Sequence, residues 1–360
     1  MIILGAGLAG SALAWHSHLR GLSVAVVDRL DPHSSSRVAA GLVTPLTGSR
    51  SALSWKWREF FPFAHDFYVE IQQKTQEPFW TLAPALRIFR DSQENDLVRS
   101  RWITNAEAKD FNGIEVLPFS SDTLPHIKAP NGMAQFAPAA RLETRSYLQA
   151  TQKYFESIAS FLSADLDCDR GIDVDSATLV RIPSLQLEGT QIAFCQGFNA
   201  RENHYFESLP LHPARGDILV FESRSLQLDR VVHGDAWIVP LGKREFMVGA
   251  TYDRMHLHHQ IAGCEEAAVF RRELMRRVET MIQGTFEQGD HQVTSQRCAV
   301  RPASYDRHPL IGRHEMYSNV FCLNGLGSKG TLMAPRLAEL LLDFMCGASL
   351  DPSLSWNRRK

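Results

Sequence analysis

The sequence has few cysteines and no long apolar run. Its 360 residues include six cysteines, and the closest neighbours among them are 24 positions apart (298 to 322 and 322 to 346). This spacing excludes Cys-x-x-Cys and zinc-ligand motifs, and six cysteines are too few for a disulfide scaffold. No apolar run reaches the roughly 18 residues of a membrane span. We therefore predict a cytoplasmic protein with reduced thiols and no membrane span.

An excess of charge of one sign is also missing. The chain has 38 Lys and Arg against 40 Asp and Glu, a formal net charge of −2. Proteins dedicated to nucleic acids usually carry a basic excess, so the balance favours a small-molecule substrate. Glycine and proline, 23 and 17 residues, are too few for a collagen-like or low-complexity chain. The length corresponds to about two domains.

What is present begins with a glycine cluster. The apolar run Met1 to Leu4 predicts a buried strand, and it leads directly into Gly5-Ala-Gly7-Leu-Ala-Gly10. A helix follows to Leu19. Glycines at this spacing make the turn, let the backbone approach a pyrophosphate, and let helix and strand pack closely. The free N–H groups at the start of the helix suit a phosphate.

A second strand supports a dinucleotide site. Ser23 to Asp28 is apolar and ends in an acid, 18 residues after Gly10. This is near the spacing at which an acidic side chain binds the ribose hydroxyls of a dinucleotide. A run of small and hydroxyl residues, from Ser34 to Pro45, follows the strand. The motif alone leaves NAD and FAD open.

Taken in order, the motifs resemble those of the D-amino-acid oxidase superfamily of FAD enzymes. This group includes glycine oxidase, sarcosine oxidase and the oxidase half of a bifunctional enzyme that modifies tRNA. The stretches that carry the resemblance span most of the chain: 3–10, Val26-Val-Asp-Arg29, 35–42, Trp237-Ile-Val-Pro240, Val248-Gly-Ala-Thr251, Val300-Arg-Pro302 and Asn324-Gly-Leu-Gly-Ser-Lys-Gly330.

The resemblance implies a set of FAD-binding residues. Ser35 and Ser36 correspond to hydroxyls near the phosphates, and Ala40 to Leu42 correspond to backbone beside the flavin ring. The loop from Gly325 to Leu332 corresponds to the edge of the pyrimidine ring of the flavin. The full predicted set is Gly5, Gly7, Leu8, Ala9, Gly10, Asp28, Arg29, Ser35, Ser36, Ala40, Gly41, Leu42, Leu166, Gly197, Gly325, Gly327, Ser328, Lys329, Gly330 and Thr331.

The resemblance also implies two substrate-binding residues. Arg301 corresponds to the arginine that binds a substrate carboxylate in members similar to glycine oxidase, and a guanidinium suits this role because it can bind a carboxylate through two hydrogen bonds. Trp237 corresponds to an aromatic position over the substrate. We assign no general base, because a neutral amine can give up a hydride directly. The segment His256-Leu-His258-His259 is interpreted as a polar turn, and no metal site is predicted.

Two interleaved domains follow from the positions of these motifs. The fold class is α/β, or α+β overall: a Rossmann-type FAD-binding domain (1–75, 140–210 and 300–360) interleaved with a mixed, largely antiparallel substrate domain (76–139 and 211–299). Helices are expected at 55–73, 141–159 and 265–282. Strands are expected at 86–89, 190–195, 216–222, 230–233, 236–239 and 245–251.

The predicted activity is oxidation of a primary or secondary amine, such as an amino acid or an N-substituted glycine. Hydride transfer to flavin N5 would leave an imine, and oxygen or another electron acceptor would reoxidise the flavin. Two alternatives stay open. One is oxidative modification of a wobble uridine in tRNA, and the other is a flavin-binding protein without catalysis.

Overall fold

The computed structural model describes residues 1–48, 51–104, 115–119, 124, 126–175, 178–257 and 265–358. Its helices are α1 (Leu8–Leu19), α2 (Ser35–Val38), α3 (Trp57–Thr75), α4 (Ser92–Val98), α5 (Thr144–Ser157), α6 (Glu265–Met281) and α7 (Gly330–Met345). Its strands are β1 (Ile2–Leu4), β2 (Ala25–Asp28), β3 (Leu42–Val43), β4 (Leu46–Thr47), β5 (Ala52–Leu53), β6 (Trp80–Leu82), β7 (Ala85–Ile88), β8 (Glu115–Phe119), β9 (Met133–Ala137), β10 (Ala140–Leu142), β11 (Phe161–Ser163), β12 (Asp173–Asp175), β13 (Leu179–Ile182), β14 (Leu187–Gly189), β15 (Ile192–Phe194), β16 (Ala214–Ser223), β17 (Val232–His233), β18 (Trp237–Gly242), β19 (Glu245–Gly249), β20 (His291–Arg301), β21 (Leu310–Arg313) and β22 (Val320–Asn324).

The first large sheet has six strands in the order β11-β2-β1-β15-β22-β21. All neighbours are parallel except β21 and β22. Its strands are apolar on both faces, as expected for a parallel sheet that is covered on both sides. Ile3 packs into the core formed with α1, α3, α5 and α7. Ile2 and Leu4 point the other way, toward the residues of β13.

The second large sheet has eight strands in the order β20-β16-β19-β18-β17-β7-β9-β8. Neighbours are antiparallel except β7 and β17. One face packs on α6 through Leu219 and Phe221. The other face carries Ile218 and Val239, and it packs against Ala40 in the segment after α2. This inner face is therefore turned toward the first sheet and its glycine motif.

The predicted fold class is confirmed: a doubly covered parallel sheet lies beside a largely antiparallel one. The first sheet takes strands from widely separated stretches of the chain, as interleaving requires, although the boundaries of the two domains stay a prediction. Among the described residues, no helix is long and apolar enough to cross a membrane.

One element differs from the sequence-based expectation. The helix predicted over 141–159 begins only at Thr144, because Arg141 and Leu142 belong to β10 and pair with β6 and β3. Leu142 is fully buried, and its carbonyl lies against Gly41. Tertiary packing next to the site therefore overrides the local helical pattern.

Candidate active site

A long groove runs between the two large sheets. It consists of two adjoining cavities of about 290 Å³ and 170 Å³. Residues from three parts of the chain line both cavities, so the two spaces are continuous: Gly7, Ser35, Ser36, Cys195 and Gly197. The larger cavity lies at the carboxyl ends of β1 and β2, and the smaller one reaches the inner face of the second sheet. An elongated space of this kind suits a dinucleotide with a flat ring at one end.

The glycine turn after β1 leaves space that side chains would fill. Gly5 has a φ of +98°, and a Cβ there would lie 2.5 Å from the carbonyl oxygen of Cys195. A Cβ on Gly7 would lie 2.8 Å from Ser36 Oγ, and one on Gly10 would overlap the Gly5 carbonyl oxygen. The glycines thus keep open a cradle at the start of α1, where free N–H groups favour a phosphate.

Ser36 and Asp28 hold the loops around this cradle. Ser36 Oγ accepts a hydrogen bond from the Leu8 N–H at 3.1 Å. Asp28 accepts from the N–H groups of Ala6 and Leu30, each at 2.6 Å. Asp28 also lines the larger cavity, so its place fits the predicted contact to ribose. Its carboxylate has a structural role as well, which spacing alone did not indicate.

The other predicted residues at the larger cavity are placed as follows. Leu166 and Gly197 line it together with Arg29. The Arg29 guanidinium forms an ion pair with Asp31 at 3.1 Å. Leu166 comes from the loop after β11 and Gly197 from the loop after β15. These loops meet because both strands are in the parallel sheet and end at the same edge.

The smaller cavity contains the residues expected beside the flavin ring. Leu8, Ala9, Ser35, Ala40, Gly41 and Leu42 line it. Gly41 has a φ of +69°, and a Cβ there would overlap the carbonyl oxygen of Leu142. Thr144 Oγ1 donates to the Ala39 carbonyl oxygen at 2.9 Å. This segment is therefore fixed from behind by β10 and α5.

The loop before α7 forms the opposite wall. Gly327, Ser328, Gly330 and Thr331 line the smaller cavity. Gly325 and Lys329 are absent from the lining. Gly325 has a φ of +73° and makes the turn after β22, where Asn324 Nδ2 donates to the Gly197 carbonyl oxygen at 2.8 Å.

Lys329 is partly buried and lines neither cavity. Desolvation by burial lowers the pKa of its ammonium group to about 8. Burial, together with the charges of Arg87 and Lys329, lowers the pKa of His233 to about 3. Lys329 therefore adds positive potential to the region of His233, and its predicted contact with flavin stays a prediction.

Two supports hold the start of α7. Pro335 has no N–H, so it cannot donate to the carbonyl oxygen of Thr331 as an ordinary helical residue would. The Tyr68 hydroxyl donates to that carbonyl at 2.9 Å instead. On the other side, a ring nitrogen of His16 lies 2.9 Å from the Pro335 carbonyl oxygen. The end of α7 that faces the groove is thus fixed by α1 and α3.

Arg301 and Trp237 both line the smaller cavity from the second sheet. Arg301 Nη1 donates to the carbonyl oxygens of Arg215 and Thr251, both at 3.4 Å. Desolvation by burial lowers the Arg301 pKa. Asp217 accepts hydrogen bonds from the Thr251 hydroxyl and Arg215 Nε, so a buried ion pair positions the backbone that holds Arg301.

Two glycines to which the sequence analysis gave no role make room for these side chains. A Cβ on Gly216 would lie closer than 3.0 Å to three atoms of the Arg301 guanidinium. A Cβ on Gly249 would lie within 3.0 Å of three atoms of the Trp237 indole. Both glycines are inside strands, where glycine often marks a close approach. That signal was available in the sequence, but the partner of each glycine was not.

The lining of the smaller cavity is largely uncharged. Among the described residues that line it, Arg301 is the one with a charged side chain, and none is Asp, Glu or His. The described residues also contain no group of three or more His, Cys, Asp or Glu that could hold a metal ion. His258 and His259 of the predicted polar turn lie outside the described residues.

Known proteins resemble this chain in sequence and in fold. The model of the family described as "FAD dependent oxidoreductase" (DAO) matches residues 1–344. The chain is 24% identical over 386 residues to the tRNA 5-methylaminomethyl-2-thiouridine biosynthesis bifunctional protein MnmC of Hahella chejuensis, covering 98% of this chain and 58% of that protein. It is 22% identical to the bifunctional protein ThiO/ThiG of Trichormus variabilis, covering 99% of this chain and 54% of that protein.

The chain thus spans little more than half the length of these two relatives. The crystal structure of glycine oxidase from Geobacillus kaustophilus superposes with a TM-score of 0.81 at 16% identity, covering 100% of this chain and 98% of the other. At this identity the likeness shows the fold alone, which is the same mixed α/β arrangement of two sheets.

Proposed function

Because the chain belongs to the DAO family of FAD dependent oxidoreductases, we propose that it oxidises a primary or secondary amine that carries a carboxylate. Amino acids and N-substituted glycines are the classes in question. The observation that carries the proposal is the placement of Arg301. It is the charged side chain in the lining of the smaller cavity, among the described residues, and it lies on the same sheet as Trp237.

Two features of this chain support FAD binding in the groove. The cradle at Gly7 is a space that a Cβ would fill, and the first turn of α1 offers N–H groups to a pyrophosphate. We propose that the residues lining the larger cavity hold the adenosine half and that Ala40, Gly41 and Leu42 lie beside the ring. When bound, FAD supplies the acceptor for a hydride.

The chain's own residues would orient the amine. Arg301 binds the carboxylate, and the carbon between carboxylate and amine then lies inside the cavity. Loss of a hydride from that carbon lets the nitrogen lone pair form the C=N bond of an iminium ion. The ion gives its N–H proton to water and leaves the site as an imine, which water can hydrolyse. Apolar lining from Ile218, Ala299 and Leu326 excludes water during this step, and Trp237 contributes one wall.

Anaerobic flavin reduction tests the proposal. The FAD-loaded protein is mixed without oxygen with N-substituted glycines and with the matching amines that lack the carboxylate. We expect bleaching of the flavin with the glycines only, and at least a tenfold higher half-saturating concentration in Arg301→Ala. Unchanged kinetics in that variant would remove the carboxylate role. A flavin that no amine bleaches would favour the alternative without catalysis.

Oxidative modification of tRNA is a second candidate. It is favoured by the relative from Hahella chejuensis, whose name concerns tRNA 5-methylaminomethyl-2-thiouridine biosynthesis and which aligns with 98% of this chain. Binding of unfractionated tRNA at several salt concentrations tests it, since phosphate contacts weaken steeply with salt. Binding that is absent at low salt would exclude this candidate.

The cytoplasmic location predicted from the sequence stays a prediction. Cys168, Cys195, Cys322 and Cys346 are free cysteines, and free thiols are typical of a reducing compartment. Whether oxygen or another acceptor reoxidises the flavin can be read from the same experiment, by admitting air after bleaching. Fast reoxidation would identify an oxidase.

A further inference from the structure

Next to the substrate cavity lies a cluster of rings and guanidinium groups that the proposed reaction does not use. It consists of His212, Tyr252, Arg254 and Tyr305, and we refer to it as the aromatic cluster. Two of its rings are unusually open to solvent: Tyr252 is 58% exposed and Tyr305 is 69% exposed. Large aromatic side chains that are held in place and still face water often bind a ligand.

The cluster is continuous with the carboxylate site. The Arg301 guanidinium, which lines the cavity, lies 5.9 Å from the centre of the Tyr252 ring. The Arg254 guanidinium lies 5.3 Å from the centre of that ring, and Arg254 Nη2 donates to the Tyr252 hydroxyl at 2.8 Å. Tyr252 therefore lies within cation–π distance of two guanidinium groups, one of which would bind the substrate.

The outer half of the cluster is a second flat surface. The His212 and Tyr305 rings stack at 4.5 Å between centres with 15° between their planes. Arg254 also forms a hydrogen bond with the His212 ring. Among the described residues, no carboxylate forms an ion pair with Arg254. The cluster thus combines π faces with a guanidinium whose charge is not neutralised by a neighbouring acid.

We propose that the amine substrate carries a planar aromatic group, which stacks on the aromatic cluster. The inference rests on the proposed function, because it places the carboxylate on Arg301. In an N-substituted glycine, the path from carboxylate carbon to the first atom of a ring attached through one methylene is four bonds, or about 5 Å. That length reaches from Arg301 to Tyr252. Tyrosine rings and guanidinium planes bind flat rings, nucleobases included, by stacking and cation–π attraction.

Equilibrium binding separates this inference from the reaction. Thioether acids cannot form an imine, so they report on binding alone. The perturbation of the flavin spectrum is titrated with benzylthioacetate and with its saturated counterpart, cyclohexylmethylthioacetate, which has a similar size but no π face. We expect the aromatic acid to bind about three- to tenfold more tightly, the range of an aromatic pair beyond its buried area.

Variants then assign that preference. Tyr252→Leu should remove it, whereas Tyr252→Phe should retain it because the ring remains. Tyr317→Leu is the matched control, since Tyr317 packs against Tyr205 on the core behind the first sheet and should leave the preference unchanged. Equal affinities of the two acids for the unmodified protein would overturn the proposal. A preference that persists in Tyr252→Leu would also overturn it.

Two further arms of the experiment read out the source of the ring and the reaction itself. Unfractionated tRNA that displaces benzylthioacetate in a salt-dependent way would identify the ring as a nucleobase in RNA. If tRNA does not displace benzylthioacetate at any salt concentration, the ring belongs to a free aromatic amine. Both results support stacking on the aromatic cluster. If N-benzylglycine does not bleach the flavin although benzylthioacetate binds with the expected preference, the proposed function fails and the aromatic cluster stands.

Discussion

Replacing Gly216 by alanine tests the geometry of the substrate site without removing any functional group. Gly216 does not have a positive φ, so alanine strains no backbone. Its Cβ would lie closer than 3.0 Å to Arg301 Cζ, Nη1 and Nη2. The guanidinium must therefore retreat by roughly 1 Å to regain ordinary contact. A displacement of this size at a site of orientation can lower kcat/KM by about 100-fold.

The assay compares four proteins: unmodified, Gly216→Ala, Arg301→Ala and the double variant. Anaerobic flavin reduction by an N-substituted glycine gives kcat/KM, and titration of the apoprotein gives the FAD affinity. We expect a loss of about 100-fold for Gly216→Ala alone, with FAD affinity within about twofold of the unmodified protein. In the Arg301→Ala background the added methyl group has no guanidinium to displace, so it should have little further effect.

Non-additivity is thus the signature of the contact. Gly249→Ala is the matched control, because its Cβ would meet the Trp237 indole instead, and its effect should persist when Arg301 is absent. An equal loss from Gly216→Ala with and without Arg301 would refute the reasoning, since the alanine would then act on something other than the guanidinium.

Three other predictions concern the flavin side of the groove. Lys329 has a pKa of about 8 in the fold, below the ordinary value for lysine, so the unfolded chain binds more protons than the folded chain between pH 8 and 10.5. Lys329→Met should therefore raise the apoprotein's free energy of unfolding at pH 7 by up to about 3 kcal/mol. In urea titrations this gain should shrink as the pH rises from 8 to 10.5. Tyr68→Phe leaves the buried Thr331 carbonyl without its donor and should cost about 1–3 kcal/mol in the same titrations; no change would mean that water replaces the hydroxyl. Gly7→Ala places a Cβ in the cradle, 2.8 Å from Ser36 Oγ. FAD affinity, measured by fluorescence titration, should therefore fall at least about tenfold. Recovery of that affinity in the Ser36→Ala background would show that the alanine acts only by displacing the serine.

The fold was predictable where local pattern and tertiary packing agree. The turn at Gly5 and the acid at the end of β2 are both read from spacing, and both are at one edge of the parallel sheet in the structure. The helix pattern at 141–159 failed at its start because Leu142 is needed in β10 beside Gly41. A pairing between residues 100 positions apart leaves no trace in a local window.

Most residues of the predicted site line the groove in the structure, but their contacts could not be predicted from the sequence. Motif order places Arg301 and Trp237 together, yet the sequence does not reveal that Gly216 and Gly249 lie under them. Likewise the sequence suggests that the Lys329 charge is available to a ligand, but in the structure Lys329 lines neither cavity and its charge acts on His233. These contacts depend on the direction in which each side chain points. In a strand, a register shift of one residue turns the side chain to the opposite face.

The backbone after Arg301, at the proposed carboxylate site, is joined directly to the loop before α7, at the proposed flavin site. Pro302 follows Arg301, and its carbonyl oxygen accepts a hydrogen bond from the Gly327 N–H at 3.2 Å. The next residue, Ala303, forms a β-bridge with Leu326. A change that moves the backbone at Arg301 must therefore also disturb the loop before α7, whereas a shift of the guanidinium alone leaves that link in place. Trp237 and Tyr252 have no such link to that loop among the described hydrogen bonds, so substrate preference can change through these two rings while the distance between carboxylate and flavin stays fixed.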